Sequence, residues 1–86
     1  MGDVTATIRD VLDAHGRLPV PALSLSDDDD LYSSGLSSHA SVNVMLALED
    51  AFGVEFPDAL LRKSTFESIA TIREVLVALG VTSLPS

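Results

Sequence analysis

Apolar residues recur at helical spacing in three stretches of the chain, and residues typical of turns separate these stretches. The first stretch runs from Asp3 to His15 and is followed by Gly16, a common helix stop. Positions spaced i, i+4, i+7 and i+8 share one face of a helix. We therefore predict a first amphipathic helix, whose core face consists of Val4, Ile8, Val11 and Leu12.

The second stretch, Leu36 to Gly53, carries two apolar stripes and has no Gly or Pro in its interior. Two serines, Ser37 and Ser38, stand where this helix would begin. The stripe predicted to face the core consists of Val44, Met45, Leu48 and Phe52. Val42 and Leu46 lie four residues apart among polar neighbours, and a small domain has little interior to cover a second face. We therefore predict that both lie at the surface as a contact patch.

The third stretch predicts a last helix from Ser64 to Leu79, followed by Gly80. Its first residue and Glu67 have the spacing of a capping box. Its predicted core positions are Phe66, Ile69, Ile72, Val75 or Leu76, and Leu79. Before it, the segment Pro57 to Arg62 predicts a short helix, because proline is favoured in a first turn.

Residues Arg17 to Gly35, between the first two helices, show no helical period and contain two prolines and four consecutive aspartates. We predict a long loop that is pinned to the core and contains a short helical turn. The side chains expected to pin it are Leu18, Val20, Leu23, Leu25 and Leu31.

The four aspartates of this loop resemble part of a calcium-binding motif. Asp28 and Asp30 alternate as calcium ligands do, but Tyr32 stands where a third ligand belongs, and the required glycine and closing glutamate are missing. We interpret the run as a solvated acidic loop in which one aspartate caps a turn, and we predict no metal site.

Together these elements predict an all-α fold, a small bundle of three main helices and one short helix with a long first loop. Residues 1–80 are predicted to form a single domain and residues 81–86 a loose tail. No internal repeat or low-complexity linker indicates a second domain.

Composition narrows the classes of function. A chain of 86 residues has one modest core, which favours a binding or carrier module over an enzyme with a buried multi-residue cleft. The absence of cysteine excludes disulfides and thiolate chemistry from the chain itself, so any thiol must be added. A net charge of −8, from 13 acids and 5 bases, disfavours nucleic acid and favours partners that present Lys and Arg. The sequence contains no apolar run of about 18 residues, which a membrane span would require, so we expect a cytoplasmic protein.

The segment from Asp30 to Asp58, DLYSSGLSSHASVNVMLALEDAFGVEFPD, resembles the centre of an acyl carrier protein. The pattern of that family has an Asp-Leu opening, then Gly-x-Asp-Ser-Leu, a Val-Glu-Leu helix, an Ala-Leu-Glu-x-x-Phe-Gly end and Ile-Pro-Asp. The serine, helix, Phe-Gly and Pro-Asp spacings of this chain agree with the pattern without a gap.

The resemblance implies a modified serine at Ser38, counted back from Ala47 and Phe52. In the family this hydroxyl takes 4'-phosphopantetheine from coenzyme A, and the thiol of the arm then holds cargo as a thioester. N–H groups at a helix start suit a phosphodiester, which is compatible with this role. Without the resemblance, Ser37 and Ser38 would both be interpreted as plain N-caps; with it, only Ser37 remains a candidate cap.

Three departures from the family pattern affect partners. Ser37 replaces the usual Asp, which bears on the phosphopantetheinyl transferase that accepts the chain, while His39 replaces Leu and Asn43 replaces an acid. The resulting polar site suits a small or polar acyl group. The segment is similar to stand-alone carriers that receive an activated amino acid from a ligase resembling a class II aminoacyl-tRNA synthetase. A carrier in fatty acid or polyketide synthesis is the alternative, and an unmodified acidic adaptor for a basic partner is the alternative from another class.

The resemblance implies a monomeric carrier that performs no chemistry of its own. Its expected partners are the transferase and the ligase, and the residues expected to contact them are Ser37, His39, Val42, Asn43, Leu46, Asp58, Leu61 and Arg62. His39 is poorly placed as a base for Ser38, because adjacent residues on a helix point about 100° apart. We therefore expect His39 to contact a partner or the arm, and a plain surface position is the alternative.

Overall fold

The computed structural model describes residues 4–81, and its helices agree with the predicted all-α fold. The main helices are α1, Val4–His15, α2, Ser38–Phe52, and α3, Ile69–Ala78. Three short 3₁₀ helices lie between them, at Ala22–Ser24, Asp58–Leu60 and Lys63–Phe66. The described part of the chain contains no strand and no helix long and apolar enough to cross a membrane.

Helix α1 packs against both other main helices, and its core face is the predicted one. All four predicted side chains are buried: Val4, Ile8, Val11 and Leu12. The helix ends at Gly16, whose N–H donates to the carbonyl of Leu12 at 2.8 Å. A Cβ at Gly16 would lie 2.8 Å from that same oxygen, so the turn requires glycine.

Helices α2 and α3 complete the core with side chains that the sequence pattern had largely identified. The fully buried ones are Val44, Leu48, Ile69, Ile72 and Leu76. Met45 and Phe52 pack on this core but are only partly buried, and the small residues Ala40 and Ser41 are buried in their place. Phe66 is buried, as predicted, with its ring centroid 5.7 Å from that of Phe56. The inward face of α2 is therefore rotated toward its small residues.

The long first loop is pinned, as predicted, but by a different set of side chains. Leu31 is buried and Leu18 and Leu25 are partly buried. Val20 and Leu23 were predicted to dock as well, and this is wrong, because Leu23 is 82% exposed and Val20 is 39% exposed. Ala22 is fully buried between them, since its small side chain allows the 3₁₀ helix to approach α1 closely.

Hydrogen bonds and ion pairs hold the same loop against α1 and α3. The Arg9 guanidinium binds the Ala22 carbonyl, the Leu25 carbonyl at 2.8 Å and the Asp27 carboxylate at 2.6 Å. Asp27 also pairs with Arg73 at 3.2 Å. One loop residue therefore joins the first and last helices.

The other aspartates of the run organise turns. Asp29 accepts the N–H of Ser26 at 2.9 Å, and Asp30 accepts the N–H of Tyr32 at 2.9 Å and the hydroxyl of Ser33 at 3.1 Å. The prediction that one aspartate caps a turn is confirmed by Asp30. Within residues 4–81, no three acidic, histidine or cysteine side chains are grouped so that they could hold a metal ion.

The predicted start of the last helix is wrong. The capping box uses Ser68 and Thr71: the Ser68 hydroxyl accepts the Thr71 N–H at 3.1 Å, and the Thr71 hydroxyl accepts the Ser68 N–H at 3.0 Å. Ser64 instead lies within a 3₁₀ helix and caps nothing. Two serines with similar spacing compete for the start, and the one with reciprocal bonds to both orphan N–H groups begins the helix.

Two other boundaries differ from the prediction. Pro57 has extended backbone and precedes a 3₁₀ helix that ends at Leu60, so the short helix does not reach Arg62. Val81, assigned to the loose tail, is buried, and its N–H donates to the Leu76 carbonyl at 3.0 Å. Residues 82–86 of the predicted tail and Asp3 of the predicted first helix lie outside the described residues.

Candidate functional site

The residue immediately before helix α2 is a serine whose hydroxyl is engaged in a hydrogen bond. Ser37 has extended backbone, and its hydroxyl accepts the N–H of Ala40 at 3.0 Å. Its carbonyl accepts the N–H of Ser41 at 2.9 Å, which is the first bond of the helix. Ser37 is therefore the N-cap, as the sequence indicated.

The hydroxyl of the next serine makes no hydrogen bond in the described chain. Ser38 is the first helical residue and is exposed, and its hydroxyl has no hydrogen-bond partner within residues 4–81. Its carbonyl accepts the Ser41 hydroxyl at 2.7 Å, which fixes the backbone of this turn. The structure likewise gives the backbone N–H groups of Ser38 and His39 no acceptor in the described chain, as expected at a helix start. A nucleophilic oxygen thus lies in solvent at the positive end of a helix.

Ser38 also lies at the edge of a groove of about 370 Å³, which we call the serine groove. Its floor is mainly apolar, from Val42, Met45, Leu61 and Phe66. The other residues that line it are Tyr32, Ser38, Ser41, Arg62 and Lys63. Elements far apart in sequence, the end of the first loop, α2 and the segment before α3, therefore form one surface beside the free hydroxyl.

The rim of the serine groove is cationic. Arg62 donates from Nε to the carbonyl of Ala59 at 3.1 Å, which leaves its terminal nitrogens available. The Lys63 ammonium lies 4.8 Å from the centroid of the Tyr32 ring, a favourable cation–π distance. Among the described residues, neither cation has a carboxylate within ion-pair distance.

The Tyr32 ring under Lys63 stays neutral at physiological pH. Partial burial raises the pKa of the Tyr32 phenol above its usual value, and the carboxylates of Asp30 and Glu67 raise it further, while the Ser41 hydroxyl opposes them. The contact of Lys63 with Tyr32 is therefore a cation–π contact that leaves the charge of the ammonium uncompensated.

The predicted contact patch on α2 is exposed, but the structure divides it. Val42 and Leu46 are 51% and 53% exposed, which confirms their surface position. Val42 lines the serine groove, whereas Asn43 and Leu46 line a second groove on the α1 side of the helix. At about 100° per residue, His39 and Leu46 point within about 20° of each other. His39 is therefore on the Leu46 side of α2; it is exposed and lines neither groove.

The remaining predicted contact residues are distributed unevenly. Leu61, 43% exposed, and Arg62 line the serine groove together with Ser38. Asp58 is exposed at the start of its 3₁₀ helix and lines neither groove.

Sequence reasoning missed several groove residues. The sequence pattern does not mark Lys63, places Met45 in the core, and makes Tyr32 notable only as a failed calcium ligand. One signal could have found Lys63, because Arg62 and Lys63 are adjacent bases in a chain with 13 acids.

The arrangement fits the attachment of a phosphorylated arm. It offers an exposed hydroxyl, a helix start whose N–H groups favour a phosphate, and a groove with two cations that could receive the attached group. Among the described residues, no side chain is hydrogen-bonded to the Ser38 hydroxyl oxygen.

Comparisons with known proteins identify relatives of this chain. The family model described as "Phosphopantetheine attachment site" matches residues 3–79. An aminoacyl carrier protein of Agrobacterium fabrum (strain C58 / ATCC 33970) is 48% identical over 73 residues, which are 85% of this chain and 88% of that protein.

Two solved structures are similar in fold. Both contain a carrier protein from Agrobacterium tumefaciens in complex with an engineered Bradyrhizobium japonicum glycine:[carrier protein] ligase. In the complex with AMP the TM-score is 0.83 at 48% identity, covering 85% of this chain and 97% of that chain. In the complex with ATP the TM-score is 0.85 at 47% identity, covering 87% and 97%.

Proposed function

The chain belongs to the family of carrier proteins with a phosphopantetheine attachment site and is a homologue of the aminoacyl carrier protein, and from this we propose that Ser38 anchors its arm. The observation that carries the proposal is the contrast between the two serines at the start of α2. Ser37 is occupied as the N-cap, whereas the Ser38 hydroxyl is exposed and unbonded within the described chain. Of the two oxygens, only that of Ser38 has no hydrogen bond in the described chain to lose when an outside enzyme modifies it.

Attachment requires the Ser38 oxygen to act as a nucleophile. It forms a bond to the pantetheine-bearing phosphorus of coenzyme A, the bond from that phosphorus to the departing adenosine bisphosphate breaks, and the hydroxyl proton passes to a base of the transferase. The N–H groups at the start of α2 favour the phosphodiester that results. His39 points about 100° away from Ser38 and does not supply the base.

We propose an amino acid as the cargo. When bound, the arm supplies a terminal thiol that forms a thioester with an activated carboxyl group. The homologous aminoacyl carrier protein and the carrier proteins bound to a glycine:[carrier protein] ligase support this over an acyl group of fatty acid or polyketide synthesis. The polar His39 and Asn43 on the exposed side of α2 are compatible with a small, charged cargo.

We further propose that the chain has no catalytic activity and acts through two partners. Carrier proteins of this family are not themselves catalytic. A transferase modifies Ser38, and an amino acid:carrier protein ligase loads the thiol. The exposed side of α2, with His39, Val42, Asn43 and Leu46, is the surface that we assign to these partners.

Intact mass spectrometry tests the attachment. The purified chain is incubated with coenzyme A, magnesium and a broad-specificity transferase. We expect the wild type to gain the mass of one phosphopantetheine group, Ser38→Ala to gain nothing, and Ser37→Ala, the matched control, to be modified. Addition of glycine, ATP and the ligase should then add one glycyl group to the modified wild type.

Two outcomes contradict the proposal. Modification of Ser38→Ala would exclude Ser38 as the anchor. An unchanged mass of the wild type with several transferases would favour an unmodified acidic adaptor.

A further inference from the structure

We propose that Arg62 and Lys63 bind the phosphate of the arm and hold its neutral pantetheine part in the serine groove, an inference that rests on attachment at Ser38. The first observation is that two adjacent cations have no carboxylate partner among the described residues of an acidic chain. The chain has 5 bases against 13 acids. Arg9 and Arg73 are both consumed by Asp27, whereas the two adjacent cations of the groove have no carboxylate partner within the described residues.

The second observation is that the attachment residue and both cations share one groove. Modification of Ser38 brings a phosphodiester, negative at neutral pH, to the edge of a groove that Arg62 and Lys63 also line. Charge-assisted hydrogen bonds between such cations and phosphate oxygens are stronger than neutral ones. The terminal nitrogens of Arg62 are available for them, because its bond to Ala59 uses Nε.

Lys63 is partly oriented before any arm is attached. Its ammonium lies over the neutral Tyr32 ring, and this contact limits its conformations while leaving its charge uncompensated. A cation held in place loses less side-chain entropy when it binds an anion.

The third observation is the apolar floor of the groove. Val42 and Leu61 are both about half exposed, and with Met45 and Phe66 they form an open apolar surface next to Ser38. The geminal methyl groups of the pantetheine arm match this surface.

The aminoacyl end of the arm does not match this apolar surface. Its α-ammonium group would meet two cations and a floor without carboxylates. The groove therefore holds the neutral middle of the arm and leaves the charged cargo outside, where a partner can reach it.

Solution NMR of the modified protein tests the inference. Intact mass first confirms one phosphopantetheine group per chain in the wild type and in Arg62→Gln/Lys63→Gln. We expect nuclear Overhauser contacts from the pantetheine methyl groups to Val42 and Leu61 in the wild type, and a change of the phosphorus chemical shift and loss of these contacts in the double variant. Arg17→Gln is the matched control, because Arg17 is exposed, is not a lining residue of the groove, and carries the same charge.

Salt provides a second readout. Raising the ionic strength from 0.1 M to 1 M shortens the screening length from about 10 Å to about 3 Å, so the same contacts should weaken in the wild type. Thermal unfolding of each variant verifies that the fold is retained.

The outcomes separate this inference from attachment itself. Absence of the mass gain is a failure of the proposed function. A modified wild type whose arm makes no contact with the groove overturns the inference. A double variant that keeps the contacts also overturns the inference. If that variant is in addition loaded more slowly by the ligase, the cations bind carboxylates of a partner instead.

Discussion

At the scale of single residues, position alone gives two identical side chains opposite roles. Ser37 has extended backbone, which lets its hydroxyl turn back to the Ala40 N–H, whereas Ser38 is helical and its side chain leaves the helix. The capping oxygen is engaged in a hydrogen bond that the helix start needs, whereas the next oxygen makes no hydrogen bond in the described chain.

This division predicts effects of different size for two alanine substitutions on stability. Ser37→Ala should lower the free energy of unfolding by about 0.5–2 kcal/mol, because the Ala40 N–H loses its acceptor. Ser38→Ala should change it by less than about 0.5 kcal/mol, because its hydroxyl makes no bond in the described chain. Urea denaturation followed by circular dichroism measures both. Equal losses would show that the cap is shared between the serines.

The sequence points to Ser38 as the proposed anchor but gives no sign of the groove beside it. The serine was located by its spacing from Ala47 and Phe52, and such local spacing is readable in a string of letters. Tyr32 and Lys63 meet only because the first loop and the segment before α3 fold against each other. No periodicity records a contact between residues so distant in sequence.

At the scale of elements, α2 turns one apolar face to the core and another to solvent. Val44 and Leu48 are fully buried, whereas Val42 and Leu46, of the same chemical type, are about half exposed. The sequence pattern predicted this division, because polar neighbours surround the second pair and a small domain has only one interior.

The two faces should respond differently to truncation. Leu48→Ala should cost about 2–5 kcal/mol of unfolding free energy, since it leaves a cavity in the core. Leu46→Ala should cost less than about 0.5 kcal/mol but lower kcat/KM for loading by the ligase about tenfold, which corresponds to about 1.4 kcal/mol of interface contact. Chemical denaturation and loading kinetics on the modified protein measure the pair. A Leu46→Ala variant that unfolds easily and is loaded normally would reverse the assignment of the faces.

Element boundaries were the weakest part of the prediction. Ser64 with Glu67 and Ser68 with Thr71 have the same spacing, and the local sequence does not show which pair caps α3. In the same way, Leu23 is an apolar residue that a loop would be expected to bury, yet tertiary packing selected the smaller Ala22. Both errors arise where three-dimensional packing decides between local options of similar energy.

At the scale of the whole molecule, Asp27 connects parts of the chain that no apolar stripe connects. Its carboxylate binds Arg9 of α1 and Arg73 of α3, and its carbonyl accepts the N–H of Ala70 at 2.9 Å. The sequence indicated only a solvated acidic run, because one arginine partner lies 18 residues before Asp27 and the other 46 residues after it. The four aspartates have the same side chain but make different contacts.

This connection predicts that neutralising two neighbouring aspartates has opposite consequences. In a chain of net charge −8, removing one negative charge relieves repulsion, so Asp28→Asn, at an exposed position, should leave stability unchanged or slightly higher. Asp27→Asn removes the same charge but leaves Arg9, only 15% exposed, without its ionic partner. We expect a loss of about 1.5–3 kcal/mol for Asp27→Asn, the range for hydrogen bonds to charged groups. Thermal and urea unfolding of the two variants measure the difference.

The comparison works because both variants have the same net charge. If repulsion alone controlled stability, they would behave alike, so a difference between them isolates the ion pairs of Asp27 from the general charge of the chain. Added salt should narrow the difference only modestly, because Arg9 is largely shielded from solvent. Equal stabilities would mean that buried Leu31 and Ala22 hold the loop without its charges, and the link between α1 and α3 would then be apolar.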